Sequence, residues 1–351
     1  ENLAGYDYKV ELKEDMKKVY PNRLFSMTSL QGHIINIMPG LSSSSISSIA
    51  QSLYEKGLIT YPRTDSNYLE KTIFGKVCAI IKSKTNGTNL EKVTKPHSSI
   101  RVFNDEMVKA HSAIIPTVKN ISDKDKLNDT EKVVYTEILK RFTEQFLPVS
   151  ESKIINIKLK FNEDHLKEYY FEGNIEEVIK GGWKGLETGL EGITKILDPS
   201  DIKIKSIRTL KPSVDIDFSK KIYHYTEPQL LNIMKDCGSK VIDTENVSDM
   251  DKKTIEGFSL GTSATRGDII DKIIRVGYAD KAGKSIIISR KGKDVIEYFP
   301  DKEVISPEYA GNLELSISKS EDDTPLREVK RKIESVCEEF KNIEYREILE
   351  R

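Results

Sequence analysis

"LYEKGLITYPRTDS", residues 53–66, is where a helical pattern stops and an extended one begins. Upstream, "LSSSSISSIAQSLYEKG" places Ile46, Ile49, Ala50, Leu53 and Tyr54 at i, i+3, i+4, i+7 and i+8, the stripe of an amphipathic helix. Gly57 stands where such a helix takes its left-handed C′ residue. Pro62 disfavours helix for the residue before it, so Tyr61 is expected on a short extended segment leaving the helix end. In extended chain, residues i and i+2 share a side, which puts the Tyr61 phenol and the Arg63 guanidinium on one face. A phenol ordinarily ionises near pH 10, so its use as a nucleophile at neutrality costs roughly 4 kcal/mol unless a cation stabilises the charge. A planar, always-charged arginine suits phosphate oxygens and supplies that cation, with Asp65 placed to orient it. The same residues also fit a core tyrosine beside a surface salt bridge.

A second cluster, "KAHSAIIPT" (109–117), sets His111 at the end of a polar stretch before small and apolar residues. A histidine there can donate to a phosphate or relay a proton, or serve as a satisfied buried side chain.

Around these stretches the hydrophobic period changes twice. Residues 1–21 alternate as a strand, and "TSLQGHIINIM" then reads as a helix with Leu30, Ile34, Ile35 and Met38 on one face. Thr28 is its expected N-cap and Pro39-Gly40 its stop. Residues 83–98 read as an exposed loop and 129–147 as another amphipathic helix. From about 150, "SKIINIKLKFN", "EYYFEGN", "GGWKGLE" and "DIKIKSIRTLK" read as strands with glycine turns through about 220, with Trp183 as a packing residue. Helical signals return with "TEPQLLNIMKDCG", where Thr226 is the N-cap and Gly238 the stop. After a polar linker containing "DTENVSDMDKK", "LGTSATRGDIIDKIIRVGY" carries Ile269, Ile270, Ile273 and Ile274 on one stripe, ended by Gly277. "YADKAGKSIIIS" then reads as strand, turn, strand. Helix, helix, hairpin is the order of a winged helix-turn-helix. The last helix, "TPLREVKRKIESVCEEFKNI", is expected to turn Leu326, Val329, Ile333 and Phe340 inward. The plan of helix, spacer, helix, glycine and extended segment occurs twice, at 28–58 and 226–278. The expected fold is multidomain α+β, with two winged-helix-like helical lobes flanking a β-rich middle.

Composition predicts a soluble globular chain of 351 residues, with no apolar run long enough to span a bilayer. A net charge of −1 offers no compositional case for a nucleic-acid partner, so any polyanion site must come from local clustering. Three scattered cysteines without CxxC spacing give neither a zinc site nor a disulfide framework. The chain opens on Glu1 inside a strand-like run, which suggests a piece of something longer.

"LYEKGLITYPRTDS" and "AHSAIIPT" together resemble the active-site region of type IA DNA topoisomerases, nearest the topoisomerase III branch. "LFSMTSLQ" upstream and "LGTSATRGDIIDKIIRVGY" downstream match in the expected order, so the resemblance spans roughly residues 20 to 310. It implies that Tyr61 attacks a phosphodiester of single-stranded DNA, releasing a 3′ hydroxyl and keeping a 5′-phosphotyrosine link. It implies that Arg63 contacts the scissile phosphate, that His111 helps bind it, and that Asp65, Thr262, Thr265 and Arg266 touch DNA. The implied fold is part of a toroid: 22–147 as the tyrosine lobe, 1–21 with 148–220 as the gate, and 221–351 as the second helical lobe. The family's Toprim domain, which brings a glutamate acid, a lysine and an acidic Mg²⁺ cluster, is not matched. Asp215 with Asp217 and Asp249 with Asp251 imitate a DxD without its βα frame, so no metal site is expected in this chain and Mg²⁺ is expected through Toprim. The expectation is a monomeric, cytoplasmic, nucleoid- or plasmid-associated chain that binds single-stranded DNA, touches no membrane and is inert or weak without Toprim.

The alternative is a non-catalytic winged-helix DNA-binding module with the basic hairpin 281–293 as its wing, which would not need Tyr61. A nucleotide-hydrolysing reading fails on mechanics. "GYADKAGKS" has five residues instead of four between Gly277 and Gly283, and it follows a helix rather than a strand.

Overall fold

Alternating apolar and charged residues at 8–19 and 150–161 build two long strands that find each other across some 130 residues of intervening chain. In the computed structural model the described residues are 8–92, 94–95, 101–108, 110–122, 125–164, 168, 170–189, 192–196, 224–242 and 248–342. In chain order the elements are β1 (Tyr8–Val19), α1 (Met27–Ile37), α2 (Ser43–Glu55), α3 (Phe74–Thr85), α4 (Asp129–Glu144), β2 (Ser150–Phe161), β3 (Tyr170–Lys180), β4 (Leu186–Gly189) and β5 (Gly192–Ile196). There follow β6 (Tyr225–Thr226), α5 (Glu227–Lys235), α6 (Cys237–Lys240), α7 (Asp249–Glu256), α8 (Arg266–Arg275), β7 (Ala279–Ala282), β8 (Ser285–Ile288), α9 (Arg290–Tyr298), α10 (Pro307–Lys319) and α11 (Thr324–Asn342). The chain divides into two compact units, Glu1–Ser26 with Ile49–Lys220, and Met27–Ser48 with Lys221–Arg351.

In the first unit β1, β2 and β3 form an antiparallel sheet in that order. Val10 lies opposite Leu159 and Leu12 opposite Ile157, and Ile155 lies opposite Ile175, so these six apolar residues share one face. Trp183 donates its indole N–H to the Val19 carbonyl at 2.7 Å, a packing residue with its polar atom satisfied. The helical part of this unit packs Val77, Ile80 and Ile81 of α3 and Phe142 of α4 against Leu69 and Ile115 of the connecting segments. A capping box opens α4: the Asn128 side chain accepts from the Glu131 amide at 2.8 Å and the Glu131 carboxylate accepts from the Asn128 amide at 2.9 Å.

In the second unit the core is Leu231 and Met234 of α5 against Ile270 of α8, with Ile286 of β8 packed alongside. Thr226 caps α5 as expected, in a capping box with Gln229. The hairpin β7–β8 turns through Gly283, whose φ of +60° suits the first position of a two-residue loop, and β6 adds to β8.

Several expectations are corrected. Thr28 lies inside the first turn of α1, which starts at Met27. Residues 83–85 continue α3, and Leu90 is buried, so 83–98 is not a wholly exposed loop. Gly238 does not stop α5, which ends at Lys235. It opens α6 where a Cβ would fall 1.7 Å from the Ile255 carbonyl oxygen, so close backbone approach is what requires glycine there. The linker ends early, because Ser248 accepts from the Asp251 amide and starts α7. The basic stretch 281–293 is a hairpin only to Ile288, after which Ser289 caps α9. Only Ile270 of the isoleucine stripe of α8 is fully buried, because α5 covers a single line of that helix. In α11 the buried residues are Pro325 and Val336 and Val329 is half-buried, whereas Leu326 and Ile333 are 67% and 57% exposed; Phe340 makes its contact on Phe299, ring centroids 5.3 Å apart. The strand expected at 201–211, and Asp215 and Asp217, lie outside the described residues.

Candidate active site

The segment bearing Tyr61 is delivered by a well-formed helix end. Gly57 takes φ +71°, its amide donates to the Tyr54 carbonyl at 2.8 Å, and the Leu58 amide donates to the Leu53 carbonyl at 3.0 Å. This is the double bond pattern of a Schellman stop. The chain then runs alongside residues 113–117. The Thr60 amide donates to the Ile115 carbonyl at 2.9 Å, the Thr117 amide to the Leu58 carbonyl at 2.9 Å, and Ile59 bridges Pro116. The Thr60 hydroxyl accepts from the Ile115 amide at 3.0 Å and donates to the Ala113 carbonyl.

Beyond Pro62, which is buried, the chain turns instead of continuing straight. The Thr64 amide donates to the Pro62 carbonyl at 2.9 Å, closing a three-residue turn with Arg63 at its apex. This turn breaks the extended geometry that would put Tyr61 and Arg63 on one face. Arg63 and Asp65 are exposed, and Arg63 makes no hydrogen bond or ion pair among the described residues. Thr64 between them is buried and donates its hydroxyl to the His111 carbonyl at 2.8 Å, while accepting from the Ser66 amide at 3.1 Å. That bond joins the two stretches that sequence reading singled out separately.

The Tyr61 ring is half-buried and in contact with two others. The His111 imidazole lies 4.7 Å away, centroid to centroid, at 62°, and the Tyr54 ring lies 5.4 Å away at 75°. Both are edge-to-face arrangements of the kind aromatic quadrupoles favour. Tyr61 and His111 are therefore brought together.

The end of α2 that presents Tyr54 is itself held from α4. Buried Glu131 accepts from Ser52 and from Lys56, both at 2.6 Å. Burial alone would push its carboxyl up, but the hydrogen bonds from Lys56, Ser52 and the Asn128 amide together hold it below the ordinary carboxylate range.

In the second unit, Thr262, Thr265 and Arg266 share one turn. The Thr262 amide donates to the Thr265 hydroxyl at 2.9 Å, and both threonines are exposed. The Thr265 hydroxyl thus closes the turn rather than capping α8. Arg266 is only 1% exposed. Its guanidinium donates to the Thr28 hydroxyl at 3.2 Å and to the Gly261 carbonyl at 3.0 Å, so it ties "GTSATR" to "LFSMTSLQ" and faces inward. The serine-rich start of α2 is capped by carboxylates: Glu227 accepts from the Ser43 amide at 2.7 Å and from its hydroxyl, and Asp271 accepts from the Ser44 hydroxyl.

Thr64, Tyr54 and Thr28 are the residues that sequence reading passed over in this role. The sequence pattern sets Tyr54 on a core stripe and Thr28 at a helix cap. Thr64 had a signal, since a small hydroxyl between two exposed charges alternates as a buried position does.

Among the described residues no three His, Cys, Asp or Glu side chains converge to hold a cation, and Asp251 is tied to Lys319 at 2.6 Å. The described donor set does not fit Mg²⁺. No helix among the described residues is long and apolar enough to cross a membrane.

Residues 4–325 match the family described as DNA topoisomerase. DNA topoisomerase 3 of Bacillus cereus is 28% identical over 355 residues, covering 95% of this chain and 47% of that protein. DNA topoisomerase 3 of Staphylococcus aureus (strain USA300) is 28% identical over 314 residues, covering 87% and 42%. Full-length topoisomerase I from Thermotoga maritima shares the fold, with a TM-score of 0.61 at 20% identity over 95% of this chain and 53% of that one. The chain spans about half the length of the curated relatives it matches.

Proposed function

We propose, for a chain that belongs to the DNA topoisomerase family and within it to the type IA, topoisomerase III-like enzymes, that Tyr61 opens and reseals single-stranded DNA. The observation that carries this reading is the Tyr61 ring, 4.7 Å from His111 on a loop fastened to the His111 carbonyl. The Tyr61 oxygen bonds to phosphorus as it gives up its proton, and the bond from phosphorus to the 3′ oxygen breaks. That oxygen takes up a proton and leaves as a 3′ hydroxyl, while the 5′ phosphate stays on Tyr61. One ester replaces another, so the reverse step needs no nucleotide.

Arg63 supplies the charge the phosphorane needs, and its exposure at the apex of a turn leaves its fork open to a phosphate. His111 donates to the same phosphate or its neighbour. Thr262, Thr265 and Asp65 offer exposed polar groups for the strand. Arg266, as folded, serves by holding their turn. The two helical lobes are of winged-helix type, and the β1–β2–β3 sheet belongs to the gate of a toroid. Type IA enzymes use Mg²⁺ held by a Toprim domain. We assign that ion, and the acid that protonates the leaving oxygen, to a Toprim domain outside these 351 residues, so that the chain by itself is inert or weak.

The test is to supply a separately made Toprim domain of a DNA topoisomerase 3 with Mg²⁺ and a single-stranded oligonucleotide. A denaturant-resistant adduct is expected on the chain and none on the Tyr61→Phe protein. An adduct that persists in Tyr61→Phe overturns the assignment, and binding of the oligonucleotide without any adduct favours a non-catalytic binding module.

A further inference from the structure

Tyr54 occupies the last turn of α2, where its carbonyl accepts the Gly57 amide that ends the helix. The residue is nevertheless 40% exposed, so it is not there to fill the core. What it touches is Tyr61, 5.4 Å away at 75°, on one side, while His111 stands 4.7 Å from Tyr61 as well. The two contacts come from different parts of the chain, one on a helix end anchored by Glu131 and one on a segment fastened by Thr64. A tyrosine on a loop without such neighbours samples several rotamers, and each unproductive one subtracts from the fraction poised to attack.

We infer that Tyr54 is a positioning residue for the Tyr61 nucleophile, acting through the edge-to-face contact of its ring and not through its hydroxyl. This rests on the reading of Tyr61 as the nucleophile. Among the described residues Tyr54 makes no hydrogen bond to Tyr61, and its contact is ring to ring. It narrows the orientations of the Tyr61 ring before DNA arrives, and the rigid α2 terminus transmits that constraint. The Glu131 clamp on Ser52 and Lys56 keeps Tyr54 in place.

The experiment uses the full chain with ring-¹³C tyrosine, the Tyr61 signal being identified by its loss in Tyr61→Phe. In Tyr54→Ala the Tyr61 ring signals are expected to move toward those of a freely rotating tyrosine, and in Tyr54→Phe to stay near their original positions. Unchanged Tyr61 signals in Tyr54→Ala overturn the inference, whatever the activity of the chain. With the Toprim domain, Mg²⁺ and saturating oligonucleotide, Tyr54→Ala is expected to slow single-turnover adduct formation about five- to tenfold, the size of one aromatic contact. Its dissociation constant for the oligonucleotide is expected to stay within about twofold, with Tyr54→Phe restoring the rate. Weaker binding at an unchanged rate shows a base-stacking platform, and a Phe variant as slow as Ala shows a role for the hydroxyl; either result refutes positioning by the ring. Absence of adduct from the unaltered chain counts against the proposed function alone, since the ring signals still decide the role of Tyr54.

Discussion

Thr64 and His111 are joined by a 2.8 Å hydrogen bond from a buried hydroxyl to a backbone carbonyl, and through it the loop carrying Tyr61 is fixed to the segment carrying the imidazole. Thr64→Val keeps the shape and removes the donor. The His111 carbonyl then loses this protein donor, and a loss of about 1–3 kcal/mol is expected in urea unfolding. The Tyr61 ring signals should shift as the imidazole loosens. Unchanged stability together with unchanged ring signals would mean that this bond does not hold the site together.

Gly57 sits at φ +71° between α2 and the Tyr61 segment. A Cβ there meets only Lys119 Cδ at 3.9 Å, so crowding is not the obstacle and backbone conformation is. Gly57→Ala is expected to cost about 1 kcal/mol, and Gly57→Val more, because a branched side chain tolerates the left-handed region least. Thermal melts of the two variants test the order. Equal melting temperatures for Ala, Val and Gly at this position would contradict it.

The contrast between these two positions explains what was legible in the sequence. Helix ends were readable where one residue decides them, as with Gly57, Gly277 and Thr226, because the left-handed glycine and the N-cap oxygen act within a single turn of chain. α9 and α10 open on signals of the same kind, Ser289 and Ser306-Pro307, which reading by hydrophobic stripe alone passed over. Gly238 misled because its reason is a carbonyl some seventeen residues away, which no local pattern encodes. The candidate site followed the same division. Tyr61 and His111 stood out by motif, but the turn at Arg63 depends on Thr64 reaching across to His111, 47 residues on. Arg266 shows the limit most clearly: its place at a helix start implied an open phosphate grip, and only the fold turns it toward Thr28.

Arg266 therefore provides a prediction with a clear sign. Its guanidinium is buried and bonded to the Thr28 hydroxyl and the Gly261 carbonyl. Arg266→Ala removes charge-assisted bonds and leaves both partners in an emptied space, at an expected cost of about 2–3 kcal/mol. Arg266→Lys should recover only part of this, since an ammonium cannot present the same planar fork. If Arg266→Ala leaves urea unfolding unaltered and weakens only oligonucleotide binding, the inward role is wrong.

Glu144, at the end of α4, makes the stability of the first unit depend on pH. Burial is the main cause that raises its carboxyl from an ordinary 4.5 to about 7, and Arg141, its Nε 3.8 Å from the carboxylate, only partly offsets this. The folded chain thus holds this proton at pH values where the unfolded chain has released it. Stability from this group is complete below about pH 4.5, falls as pH rises through 7, and is flat above that. The difference between the two values corresponds to a loss on the order of 3 kcal/mol across the window. Glu144→Gln keeps the size and removes the titration, so the variant should match the parent near pH 4.5 and exceed it near pH 8. Urea unfolding at a series of pH values measures the difference curve directly, with histidines and other carboxylates cancelling between the two proteins. A difference that stays constant from pH 4.5 to 8 would show that Glu144 is ionised in the folded chain throughout, and that Arg141 compensates its burial in full.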